Sequence, residues 1–101
     1  MTSLDTDIQI PEILNVLIDD KSLVVELSDG RSISVPLSWY PRLFHANENE
    51  RKNWRLVGKG EGIHWPAIDE DISVRGIIAG KPSQESHSSF KKWLEERGKN
   101  M

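Results

Sequence analysis

The sequence predicts an α+β domain: an antiparallel sheet of four or five strands, made of a β-meander and a second hairpin, with one or two short helices and a C-terminal helix. Three observations lead there. Leu23, Val25 and Leu27 alternate with Val24, Glu26 and Ser28 at the period of a half-buried strand. Asp29-Gly30 and the glycines at 58, 60 and 62 punctuate apolar runs as hairpin turns do. Near the C-terminus Phe90, Trp93, Leu94 and Arg97 recur at i, i+3, i+4 and i+7, the spacing of one helix face.

Residues 1–10 read as a mobile polar lead, with Pro11 at the entry to the first strand. From Ile13 to Ile18 the apolar residues are nearly continuous, which predicts a strand covered on both faces, and Asp19-Asp20-Lys21 forms the turn after it. The Leu23–Leu27 strand follows. Asp29-Gly30 suits the two central positions of a type I′ turn, both of which need positive φ, and Ile33 and Val35 carry the alternation into a third strand. Pro36 and Pro41 bracket Leu37-Ser38-Trp39-Tyr40; Ser38 can cap a helix and Pro41 can occupy its first turn. A helix is expected from about Tyr40 to Glu48, with Leu43 and Phe44 toward the sheet and the polar stretch to Lys52 as its end and a solvated loop.

Trp54, Leu56 and Val57 predict a fourth strand, and Ile63-His64-Trp65 its hairpin partner. After Pro66, Asp69-Glu70-Asp71 introduces a short helix through Ile72, Val74, Ile77 and Ile78 that ends at Gly80, with Pro82 just beyond. In the tail, Ser86 or Ser88 can cap the last helix and Gly98 can end it. The organisation expected is a lead (1–10), a core (11–80) and an amphipathic tail (81–101). At roughly three turns the tail helix is marginal alone in water, so it has to dock on its own sheet, a second copy or a partner.

With 101 residues the chain holds one modest core. It is 37% hydrophobic and 29% charged, a balance that folds. A net charge of −3 disfavours sequence-independent binding to phosphate backbones. There is no cysteine, which excludes disulfides, thiolate metal sites and cysteine nucleophiles. No stretch approaches the roughly 20 apolar residues that span a bilayer, and the polar N-terminus lacks a signal-peptide pattern, so a cytoplasmic location is expected.

The run from Trp54 to Val74, with its Ile63-His64-Trp65-Pro66 and Asp69-Glu70-Asp71 segments, follows the Leu27-x-Asp29-Gly30-Arg31 hairpin and Pro36-Leu37-Ser38-Trp39-Tyr40-Pro41-Arg42-Leu43. Together these resemble the bacterial domain-of-unknown-function family numbered 2442, over about Ile13 to Gly80. The resemblance implies a compact α+β fold and no agreed activity. By the company such genes keep, it also raises the expectation of an antitoxin-like role, an association rather than a physical argument.

Each chemical motif has a structural reading beside it. Gly58-x-Gly60-x-Gly62 lacks the third glycine spacing of a dinucleotide loop, Ile63 standing there, and no helix follows to receive a phosphate; it reads as a hairpin turn. Asp69-Glu70-Asp71 could offer carboxylates to a hard cation, but nothing completes a site, and acidic residues at a helix start satisfy free N–H groups. His45, His64 and His87 lack zinc-ligand spacing. His64, between Ile63 and Trp65, points away from the core if they point in. No Gly-x-Ser-x-Gly elbow or second domain supports nucleophilic catalysis, so no enzyme, metal or cofactor is expected.

What remains is a protein-binding module, antitoxin-like in its most specific form, whose partner is a small protein or a second copy. Its candidate contact residues are Trp39, Tyr40, Arg42, His64, Asp69, Glu70, Asp71, Phe90 and Trp93, with Trp39 and Tyr40 as partly exposed anchors. Two alternatives carry their own signatures. A sequence-specific nucleic-acid regulator requires a helix bearing Arg51, Lys52 and Arg55 on one exposed face, and a non-catalytic small-molecule binder would use His64 and the acidic trio.

Overall fold

The computed structural model describes residues 9–99, so the lead expected over residues 1–10 lies, apart from Gln9 and Ile10, outside the described residues. Six strands form two three-stranded antiparallel sheets in place of the single larger sheet expected. The first sheet is the predicted meander: β1 (Ile13–Ile18), β2 (Ser22–Leu27) and β3 (Ser32–Pro36), in that order. The second comprises β4 (Arg55–Val57), β5 (Gly62–Trp65) and β6 (Glu70–Ser73), again in chain order.

Alternation works in β2 as the sequence indicates, with Leu23, Val25 and Leu27 all buried. β1 departs from expectation. Its pairing to β2 slips between Ile13 and Asn15, so Leu14 is an extra residue and the inward positions become Ile13 and Val16. The strand is not covered on both faces, because Leu14 and Leu17 are 62% and 52% exposed. The β2–β3 turn also differs from the type I′ expectation. Gly30 has φ +93° while Asp29 stays out of the left-handed region, Gly30 N–H donates to Leu27 O, and Leu27 N–H donates to Arg31 O. A three-residue loop with one left-handed glycine results, closed by Asp29 Oδ1 accepting from Arg31 N–H.

The predicted helix over Tyr40 to Glu48 splits in two. A 3₁₀ turn (Leu37–Trp39) leads into α1 (Pro41–Phe44), where Pro41 occupies the first turn as expected but Ser38 caps nothing. Leu43 is buried, whereas Phe44 is 44% exposed and does not face the sheet. The supposed solvated loop is α2 (Glu48–Lys52), started by a reciprocal capping box: Asn47 Oδ1 accepts from Glu50 N–H and Glu50 Oε1 accepts from Asn47 N–H. α2 is anchored through its carbonyl end, since Trp65 Nε1–H donates to Arg51 O at 3.1 Å.

The acidic trio does not start a helix. Asp69 closes a turn in the left-handed region (φ 52°), and Glu70 and Asp71 begin β6. The helix begins later, at α3 (Val74–Ala79), where Ser73 Oγ accepts from Gly76 N–H; left-handed Gly80 ends it as predicted. α3 packs on β6 and β3 and bridges the two sheets. A second tie runs from Ile13 N–H to Gly60 O at 2.8 Å. One hydrophobic cluster fills the space between, with Trp65, Leu37, Leu43, Ile63 and Ile68 among its fully buried members.

The tail forms α4 (His87–Lys99), which runs through Gly98 rather than ending there. Ser86 caps it, its Oγ accepting from Ser89 N–H. The face predicted from spacing, Phe90, Trp93, Leu94 and Arg97, is the half-buried one. It docks on this chain's own helical segment. Glu85 grips Arg42, Arg97 grips Glu50 at 2.9 and 3.0 Å, and Trp93 lies within 5.3 Å of the Arg42 guanidinium and 4.5 Å of that of Arg97. Phe90 stacks on Trp93 and meets His45.

Candidate functional site

β5 and β6 set two polar groups on opposite sides of their sheet. Ile63 and Trp65 point into the core, so His64 between them points out, as the alternation requires. Its cross-strand neighbour is Asp71, and His64 Nδ1 lies 2.8 Å from Asp71 Oδ1. Such a pair orients an imidazole, and among the described residues no hydroxyl or amide engages its other nitrogen. The chemistry this supports is structural pairing across a strand.

Glu70, one residue earlier, turns the other way. Its Oε1 accepts from the Asp71 N–H, while Oε2 is buried without a hydrogen-bond partner. Burial pushes this carboxyl up to about 7, reinforced by the nearby charge of Glu85 and opposed by Arg42. Tyr40, only 3% exposed, presents a second orphan: its hydroxyl is also buried and unpartnered, and burial together with Glu70 raises its pKa. Both residues line a concavity of about 290 Å³ whose other walls include Asp71, Lys81, Ser83 and Gln84.

Beside it, all three guanidinium nitrogens of Arg42 have partners. Nε donates to both Glu85 oxygens at 3.0 and 2.9 Å, Nη2 donates to Glu85 Oε2 at 2.6 Å, and Nη1 donates to Ile68 O at 2.9 Å. The pair raises the Arg42 pKa and holds Glu85 below the usual carboxylate range.

The structure thus gathers Tyr40, Arg42 and Glu70 at one place and adds Glu85, which no sequence signal marks. Tyr40, expected to be a partly exposed anchor, is instead a core residue, because at the junction of the 3₁₀ turn and α1 its ring joins the hydrophobic cluster. Trp39 is half-buried, and its carbonyl accepts from Ser83 N–H. Phe90 and Trp93 are spent on the tail's own docking, and Asp69 and Asp71 stay exposed. The basic face required of a nucleic-acid regulator is not formed. α2 ends before Arg55, and Arg51 turns inward to donate to Leu43 O and Phe44 O. Among the described residues no three His, Asp or Glu side chains converge as metal ligands, and no helix is long and apolar enough to cross a membrane.

A second surface lies on β1. It ends the strand order of its sheet, so beyond the Ile13–Gly60 bond no strand among the described residues pairs with its outer edge. An open groove of about 590 Å³ runs alongside, with Val16, Leu17 and Ile18 on one wall and Arg51, Lys52 and Trp54 on the other. The signal was available in the sequence: six residues, Ile13-Leu14-Asn15-Val16-Leu17-Ile18, without one charge to blunt an edge.

The fold recurs in two solved structures. A protein of unknown function from Rhodospirillum rubrum matches with a TM-score of 0.67 at 24% identity, over 76% of this chain and 95% of that one. An uncharacterized protein from Chromobacterium violaceum matches with a TM-score of 0.61 at 18% identity, over 85% of this chain and 75% of that one. Comparison with curated proteins gives no significant match. Residues 13–83, from the first residue of β1 to the segment before α4, match the profile of a family described as "Protein of unknown function (DUF2442)", and the chain belongs to that family.

Proposed function

We propose that this protein is a cytoplasmic, non-catalytic protein-binding module that captures an extended segment of a small partner protein along the outer edge of β1. One observation carries the reading: Leu14 and Leu17 stand 62% and 52% exposed on an uncharged strand whose outer edge no other strand among the described residues pairs. Unpaired N–H and C=O groups beside exposed leucines form a template for strand addition. The β1 bulge exposes the first of those leucines, and the adjoining groove gives the incoming side chains room beside Trp54. The occupant this favours is an extended apolar segment, because the groove walls mix Asp19, Asp20 and Glu48 with Arg51 and Lys52 and select neither sign of charge.

An antitoxin-like role is the most specific version, in which the captured segment belongs to a small toxin encoded beside this gene. It rests on the association noted for the family resemblance. Co-expression of the full chain with that neighbouring product tests both levels. The expected result is a stoichiometric complex that the double substitution Leu14→Lys, Leu17→Lys abolishes, while thermal unfolding of the variant stays close to that of the parent because both side chains are already in solvent. A complex indifferent to the substitution would overturn the β1 surface. If light scattering finds instead a dimer of this chain that the same substitution dissociates, the edge serves self-pairing and the antitoxin version fails.

A further inference from the structure

We propose that the concavity lined by Tyr40, Glu70, Lys81 and Ser83 binds a small ligand carrying a protonated amino group. This goes beyond the protein-binding reading and uses none of the residues on which that reading rests.

The geometry starts from two oxygens without partners. Tyr40 Oη and Glu70 Oε2 are the buried side-chain polar atoms that the described residues leave unsatisfied, and both belong to residues lining the same cavity. Burying a polar oxygen without a partner is unfavourable, so two beside one opening call for a partner from outside. The phenol can accept and donate. A carboxylate only accepts, so the missing group has to bring N–H or O–H donors.

The protein does not supply them. Arg42 is the cation whose field reaches Glu70, but its Nε, Nη1 and Nη2 all donate to Glu85 or Ile68 O. Lys81 lines the rim and forms no ion pair among those found in the described residues.

Charge then selects the sign of the ligand. The groups acting on Glu70 are Arg42 from α1, Glu85 from the segment before α4 and Asp71 on its own strand. Arg42 is neutralised by its bidentate Glu85 and Asp71 pairs with His64 on the other side of the sheet, which leaves Glu70 and Lys81 as the charged lining residues without an ion pair among the described residues. An anion would meet the Glu70 carboxylate, whereas an ammonium would meet two acceptors that lack donors, Glu70 Oε2 and Tyr40 Oη. Its arrival would also hold Glu70 in the ionised form that burial disfavours. A volume of about 290 Å³ fits a short alkylamine and far exceeds the share of a single water.

The test is an NMR titration of the full chain with n-propylammonium at pH 6 and pH 8. Tetramethylammonium serves as a probe of equal charge without N–H donors. Saturable shifts centred on Tyr40, Glu70 and Ser83 are expected, with affinity rising about tenfold between the two pH values as Glu70 ionises around pH 7. Tetramethylammonium should bind at least about tenfold more weakly, since it cannot donate to either oxygen. Glu70→Gln should remove the pH dependence, and Tyr40→Phe should weaken binding severalfold. Lys81→Glu, on an exposed residue that cannot disturb the core, should tighten it. No saturable shift at Tyr40 and Glu70 would overturn the site and leave ordered water as the occupant. So would shifts confined to the exposed carboxylates Asp69 and Asp71, or binding that Glu70→Gln leaves unchanged.

Discussion

Glu70 concentrates the electrostatics of the molecule in one side chain. Its folded-state carboxyl is raised from 4.5 to about 7, chiefly because it is buried beside the unpartnered Tyr40 hydroxyl. A raised carboxyl means that the folded chain holds a proton the unfolded chain has released. The associated stability is therefore complete below pH 4.5 and is lost as pH rises through about 7. Allowing for the part of the side chain that solvent still screens, the loss should be about 2 kcal/mol. Urea unfolding at pH 4.5 and pH 8 should show it, and Glu70→Gln should flatten the difference by making the chain more stable at pH 8. Equal pH dependence in parent and variant would place the proton elsewhere. Glu50 and Glu85 behave oppositely: hydrogen bonds from Arg97 and from Arg42 hold their carboxyls below the usual range.

Those two carboxylates decide what the C-terminal helix does. α4 and the segment leading into it touch the rest of the chain through the Arg42–Glu85 and Glu50–Arg97 pairs, through Trp93 against the two guanidinium groups and through Phe90 on His45. Both carboxyls are depressed, so their contribution is present above the unfolded value near 4.5 and disappears as pH falls through the folded one. Acid should therefore release the tail. Protection factors of the α4 amides, corrected for intrinsic exchange, should fall as pH drops below 4.5 while those of β2 and β5 hold. Trp93→Ala should produce the same local opening at neutral pH, because a ring stacked on Arg42 and Arg97 contributes about 0.5–2 kcal/mol through cation–π contact and more through burial. Protection of α4 that survives both changes would mean that Phe90 and Leu94 alone hold it. The family profile matches residues 13–83, so α4 lies outside the matched residues while Arg42 and Glu50, on which it docks, lie within them.

At the scale of the whole molecule, two small sheets share one core, and Gly60 is where they meet. Its carbonyl accepts from Ile13 N–H, its φ is +79°, and a Cβ there would lie 2.6 Å from Ile13 O and 2.8 Å from Ile13 N, both backbone atoms that cannot swing aside. Gly60→Ala should cost about 3 kcal/mol in chemical unfolding, combining left-handed strain with a forced separation of β1 from the β4–β5 turn. A loss below about 1 kcal/mol would show that the sheets are coupled through α3 instead. Much of this architecture was legible beforehand because it depends on neighbours in the chain: the β2 alternation, the Gly80 stop and the half-buried face of α4 are set by local period and by backbone freedom. α2 was equally legible, since Asn47 and Glu50 form a capping box at its ordinary spacing, but the charge density of the stretch disguised it as a loop. The acidic trio misled for a different reason. A cluster of carboxylates complements a helix start and a strand edge alike, and the pairing of His64 with Asp71 and of Trp65 with Glu70 across β5 and β6 decided the matter. Alone, the sequence determined the α+β class, the family, the first sheet and the amphipathic tail, because hydrophobic period and turn chemistry act over a few residues. The tertiary structure decided that the strands divide into two sheets, that Tyr40 and Glu70 share a cavity, that the tail docks at home and that no described strand pairs the outer edge of β1. Each of those depends on contacts between residues far apart in the chain, and no local spacing encodes which distant groups will meet.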